Sequence, residues 1–141
     1  MMIKKDNDVR TSIQSISVPH YVDERGDLTV VEEVVPFDIS RVFAVRAMKG
    51  AVRGKHAHKK CSQFMVCVSG SIQVVCYDGV NESTYLLDRP SVGINVPPGV
   101  WAQETYEENG SILMVFCDYP YVADDYINDI NDFREYKRNM E

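Results

Sequence analysis

The chain has 141 residues, 45% of them hydrophobic and 26% charged, with 21 acidic against 15 basic side chains and a net charge of −6. That balance suits one globular domain over residues 1–141, large enough to bury a core and too apolar for a disordered segment. The acidic excess argues against a nucleic-acid or anionic-membrane partner. "MMIKKDNDVR" has no apolar run behind its lysines, and "ILMVFC" (112–117) is far too short to span a bilayer, so the chain reads as cytoplasmic.

In chain order, "TSIQSISVPHYV" (11–22) is strand-like, followed by "LTVVEEVV" (28–35), Pro36 and "RVFAVRAM" (41–48). "SQFMVCVSG" and "SIQVVCYDG" come next, and Ser69-Gly70 predicts a tight hairpin joining them. In the second run Ile72, Val74 and Cys76 share one face. "STYLLD" (83–88), "VGINVPPGVWAQETY" and "SILMVFCDYP" continue the pattern. Turn signals this frequent predict an all-β sandwich or barrel, with Tyr77, Tyr85 and Tyr106 in its wall. The tail "ADDYINDINDFREYKRNME" places Tyr126, Ile130 and Phe133 near helical spacing, with acids early and Lys137-Arg138 late. It predicts a short C-terminal helix. Cys61, Cys67, Cys76 and Cys117 form no CxxC pair and read as buried, reduced thiols.

The chemistry concentrates in "GAVRGKHAHKKCSQFMVCVSG" (50–70), where His56 and His58 share one face of a strand. The spacing Gly50, His56, His58, Gln63, Gly70 resembles the first signature of the cupin superfamily. "GINVPPGVWA" supplies the Pro97 and Gly99 of the second. Metal-binding cupins carry a glutamate where this chain has Gln63 and a histidine where it has Ala102. His20 lies far upstream in another strand. Two imidazoles alone make a poor divalent-ion site, so no metal is expected. The pair instead suits proton transfer near neutral pH, with Arg53 and Lys55 alongside.

"RGKHAHKK", together with "DERGDLTVVEE", "PFDISRVFAV", "PPGVWAQ" and "YVADDYINDINDF", resembles the WxcM/FdtA group of cupins, over about residues 15–135. These are dTDP-4-keto-6-deoxyglucose 3,4-ketoisomerases. The resemblance implies an RmlC-like jelly-roll β barrel with a short C-terminal helix. It implies ketone migration from C4 to C3 of a dTDP-linked 4-keto-6-deoxyhexose, without cofactor, on the way to a 3-amino-3,6-dideoxyhexose for surface glycans. His58 becomes the first candidate base and His56 its partner in shuttling a proton or polarising the carbonyl; their roles can be exchanged. Arg53 and Arg25 are candidates for stabilising the enediolate or the diphosphate. Gln63 is a candidate hydrogen-bonding group for the sugar. Lys55, Trp101, Gln103 and Glu24 complete the substrate-binding candidates. Phe43, Ala44, Ala102 and Gln103 depart from the family; positions near Ala102 and Gln103 and near Glu24 lie where it sets the C4 stereochemistry, so galacto and gluco products both stay open. Relatives form homodimers, often by exchanging N-terminal strands, and here "TSIQSISVPHYV" (11–22) is the segment suited to that exchange. A sugar-nucleotide epimerase and a non-catalytic nucleotide-sugar-binding cupin are the alternative readings.

Overall fold

Short β-branched runs separated by turns build two antiparallel sheets, as the alternation requires. The computed structural model describes residues 12–140. The elements are β1 (Gln14–Ser17), β2 (His20–Asp23), β3 (Gly26–Thr29), β4 (Arg41–Ala47), β5 (Val52–His58), β6 (Gln63–Ser69) and β7 (Ile72–Tyr77). They continue with β8 (Glu82–Leu87), β9 (Val92–Val96), β10 (Trp101–Tyr106), β11 (Ser111–Cys117), a 3-10 turn (Ala123–Asp125), β12 (Tyr126–Ile127) and α1 (Ile130–Asn139). One sheet has the order β1-β9-β6-β11-β4 and the other β12-β5-β10-β7-β8. From β4 to β7, and again from β8 to β11, each connection changes sheet, as in a jelly roll. β2 and β3 pair only with each other among the described residues.

Facing side chains of the two sheets make the main core. Met65, Cys67, Ile72, Val74, Cys76, Ile94, Val96, Leu113, Val115 and Cys117 are all buried there. A second cluster lies outside the first sheet, where Val31, Val34, Val35 and Phe37 cover Phe64, Val66 and Phe116. A third lies outside the second sheet, where Phe133 of α1 packs against Ala57, Trp101 and Ile127. All four cysteines are buried free thiols. Tyr106 is buried in the main core, Tyr85 packs against that core and Tyr77 packs against Phe133.

Four local expectations need correction. Ser69-Gly70 is not a hairpin: β6 and β7 belong to different sheets, and the turn carries the chain across the barrel. Gly70 has φ +88°, and a Cβ there would fall 2.1 Å from Ser111 Oγ, so close approach of β11 dictates the glycine. The run 28–35 is strand only to Thr29; beyond it, the valines are used as cover for the outer cluster. The segment 11–22 divides at Val18-Pro19 into β1 and β2, and its Thr11 lies outside the described residues. Finally, Tyr126 is in β12, not in the helix. Asp129 caps α1, its carboxylate accepting from the N–H groups of Asn131 and Asp132, and so starts the helix only at Ile130. Among the described residues no helix is long and apolar enough to cross a membrane.

Phe133 is the fully buried anchor of α1. Phe133→Ala is expected to cost about 3–5 kcal/mol, read by denaturant unfolding.

Candidate active site

The strand that carries both histidines does not alternate regularly. β10 pairs Ala102 with His56, but Gln103 with Gly54 and Glu104 with Arg53, which leaves Lys55 as an extra residue. Gly54 and Lys55 both have left-handed backbones, with φ +81° and +59°. This is a β-bulge. A Cβ on Gly54 would lie 2.7 Å from a carboxylate oxygen of Glu104, so only glycine fits. The bulge decides which side chains meet. Strict alternation would put Arg53 on the face opposite the histidines; instead it shares their inner face and stands across from Glu104.

His58 is 6% exposed, and its Nδ1 lies 3.0 Å from Asp125 Oδ2. The Asp125 carboxylate also accepts from the backbone N–H of Lys60 (2.6 Å) and of Cys61 (3.2 Å). It acts here as an acceptor, so the proton between the pair sits on Nδ1. Nε2 is then a lone pair, and it is buried without a partner among the described residues. His56 Nδ1 lies 3.1 Å from the Gly54 carbonyl, which can only accept, so this ring also has its Nε2 lone pair free of a proton. The two rings meet edge to face at 5.1 Å, and Tyr126 lies 4.3 Å from His58 and 5.0 Å from His56.

Burial lowers the basicity of both rings. His56 falls to about 4, pushed down by burial and then by His58, against the opposing pull of the Gly54 carbonyl. Burial also lowers His58, while Asp125 resists through its hydrogen bond and charge. Two neutral imidazoles, each with a bare Nε2, form a proton-accepting pair.

The other expected residues divide into three groups. Gln63 is buried, and its Nε2 donates to Cys117 Sγ at 3.8 Å. With Ala102 facing His56, the cupin ligand positions offer an amide donor and a methyl, which do not fit a metal ion. Lys55, Trp101 and Gln103 are turned away from the histidines. They line a groove of about 470 Å³ on the outer face, with Tyr77, Glu82 and Arg134. Trp101 is largely covered there by Phe133. Glu24 and Arg25 occupy the exposed tip of the β2–β3 hairpin, where Arg25 pairs with Asp23. His20 bonds Thr29 in the same hairpin, away from the pair.

Three residues of the site were not expected: Asp125, Tyr126 and Arg41. Arg41 Nη1 donates to the Tyr126 hydroxyl at 3.3 Å, and its guanidinium lies over the rings of Phe43 and Tyr121. The consecutive acids and tyrosine of "ADDY" were the available signal, but helical spacing claimed Tyr126 for the tail helix.

The model of the WxcM-like, C-terminal family (FdtA) matches residues 11–138. The chain belongs to that family. A TDP-4-oxo-6-deoxy-α-D-glucose-3,4-oxoisomerase of Aneurinibacillus thermoaerophilus is 37% identical over 131 residues, covering 89% of this chain and 94% of the relative. The structure of a 3,4-ketoisomerase from Helicobacter canadensis superposes with a TM-score of 0.85 at 27% identity, covering 91% and 98% of the two chains. A histidine-to-asparagine mutant of the QdtA 3,4-ketoisomerase from Thermoanaerobacterium thermosaccharolyticum, in complex with TDP-4-keto-6-deoxyglucose, gives 0.85 at 29%, covering 90% and 94%. A 3'-monoepimerase from Streptomyces bikiniensis, at 16% identity and a TM-score of 0.74 over 81% and 67% of the chains, shares the RmlC-like fold alone. Like these WxcM-like relatives, the chain is an isomerase of the intramolecular-oxidoreductase type.

In this WxcM-like barrel Glu104 is a buried acid on the inner face, raised by burial to about 8 against the downward pull of Arg53. Its folded pKa lies above the ordinary 4.5, so its contribution is lost as pH rises from 4.5 towards 8. His56 has the opposite sign: its folded value near 4 lies below 6.5, so stability is lost as pH falls through that interval. Glu104→Gln should therefore be more stable than the parent at pH 8 by about 2–4 kcal/mol, with the gap closing by pH 4.5. Denaturant unfolding across pH checks this.

Proposed function

We propose that this chain is a single-domain cytoplasmic 3,4-ketoisomerase acting on a dTDP-linked 4-keto-6-deoxyhexose, with His58 as base. The supporting observation is the buried, unpartnered Nε2 of His58, whose ring is anchored through Nδ1 by Asp125. His58 removes the proton at C3, which the neighbouring carbonyl acidifies. The electron pair forms the C3=C4 double bond of an enediolate, with charge on the C4 oxygen. A proton returns to C4, and the proton of the C3 hydroxyl passes to the C4 oxygen, which leaves the new ketone at C3. Oxidation at C3 and reduction at C4 cancel, so no redox cofactor enters.

Asp125 stabilises the imidazolium formed at His58, as a buried carboxylate hydrogen-bonded to Nδ1 does. His56, at 5.1 Å, is placed to relay a proton between C3, C4 and their oxygens. Arg53, on the same inner face, and Arg41, beside Tyr126, supply positive charge for the enediolate or the diphosphate. Glu24 and Arg25 reach a substrate only in a homodimer whose hairpin docks on a second copy. Exposed Tyr21, Val22 and Leu28 on that hairpin support such an exchange. The 3-keto product suits transamination to a 3-amino sugar for a surface glycan.

Incubation with dTDP-4-keto-6-deoxyglucose in deuterium oxide, followed by NMR, is expected to show the ketone at C3 and deuterium at C4. Exchange at C3 or C5 without migration would make the protein an epimerase, and no change at all would leave a binding protein. His58→Asn and Asp125→Asn should each lower turnover by about 10²–10⁴-fold while retaining nucleotide binding. Sedimentation should show a dimer, which Leu28→Glu converts to monomer.

A further inference from the structure

Behind the histidine pair lies a buried thiol, Cys61, that the isomerisation does not use. Cys61 follows β5 closely, and its backbone N–H donates to Asp125 Oδ2, the same oxygen that accepts from His58 Nδ1. Its side chain turns to the same point. Ligand atoms of His58, Cys61 and Asp125 all lie within 4.8 Å of one another, and all three residues are buried. The Cys61 thiol itself donates to the Ser62 carbonyl at 3.4 Å.

We propose that His58 Nδ1, Asp125 and the Cys61 sulfur form an inhibitory binding site for a thiophilic divalent cation of the zinc class. One imidazole, one carboxylate and one thiolate are three of the four donors of tetrahedral zinc, with water as the fourth. Bond lengths near 2.0–2.3 Å place neighbouring ligands ~3.2–3.8 Å apart, so the side chains must close by about 1 Å. The site is distinct from the cupin ligand positions: it uses neither His56, Gln63 nor Ala102.

The consequence for His58 follows from proton balance. The cation takes the Nδ1 electron pair, and the proton once held there moves to Nε2. The coordinating Cys61 thiol releases one proton to solvent. Nε2 then has an N–H in place of a lone pair and cannot accept a proton from a sugar carbon. Loss of turnover rests on the reading of His58 as base, whereas metal binding does not.

Cobalt(II), a spectroscopic stand-in for zinc, is titrated into the full chain under reducing conditions. One equivalent should bind with a thiolate-to-cobalt charge-transfer band and tetrahedral visible absorption, both displaced by zinc. Zinc should lower turnover at least about tenfold, and a chelator should restore it. Cys61→Ser should lose the band and the zinc sensitivity while keeping metal-free turnover. Circular dichroism confirms folding, with Cys61→Ala as the substitute if the serine variant unfolds. Absence of the band, or undiminished zinc inhibition in the Cys61 variant, overturns the site. A band with unchanged turnover overturns its inhibitory role. A chain without ketoisomerase activity still answers the spectroscopic question, so failure of the functional reading is told apart from failure of the site.

Discussion

Everything at the centre of this molecule is organised by the buried carboxylate of Asp125. Its oxygens accept from His58 Nδ1 and from the backbone N–H groups of Lys60 and Cys61, and its own carbonyl accepts from Lys59. A carboxylate 5% exposed is costly unless its acceptor capacity is filled, and here the β5–β6 corner fills it. The same bonds tie the C-terminal segment to the end of β5. Tyr126 is thereby paired with His58 in β12, laid against both imidazoles, and linked to Arg41. One group thus sets the tautomer of His58, the wall beside it and the docking of the tail.

The second constraint is the bulge at Gly54 and Lys55. By changing the parity of β5 it puts Arg53 on the inner face with His56 and His58, opposite Glu104, and ejects Lys55 to the outer groove. β10 shows the same division without a bulge of its own. Ala102, Glu104 and Tyr106 are buried on one side, while Trp101 and Gln103 face the groove and α1. The barrel wall therefore separates residues that are close together in the chain. Lys55 and His56 are neighbours in sequence and lie on opposite sides of a sheet.

Much of the fold was legible because its period is local. The alternation of Ile72, Val74 and Cys76, the recurrent turns and the amphipathic tail each report on a few neighbouring residues, and an all-β sandwich or barrel with α1 follows from them; the family resemblance supplied the jelly roll. The HxH spacing likewise put His56 and His58 on one face, and Gln63 with Ala102 signalled ligand positions unsuited to a metal. The errors arose where a local signal had two tertiary outcomes. Ser69-Gly70 serves a sheet-to-sheet crossing as well as a hairpin, and Tyr126 at helical spacing can precede a capped helix without entering it.

The sequence by itself determined the β architecture, the histidine pair and the family, because strand period and motif spacing are properties of contiguous residues. Only the tertiary structure decided that Asp125 is the partner of His58, a contact across 67 residues, and that Arg53 faces inward while Lys55 does not. It likewise brought Cys61 to the same carboxylate. The reason is physical: a strand's own pattern states which residues share a face, but the partner across the barrel, and the bulge that changes that face, are set by pairing between distant strands.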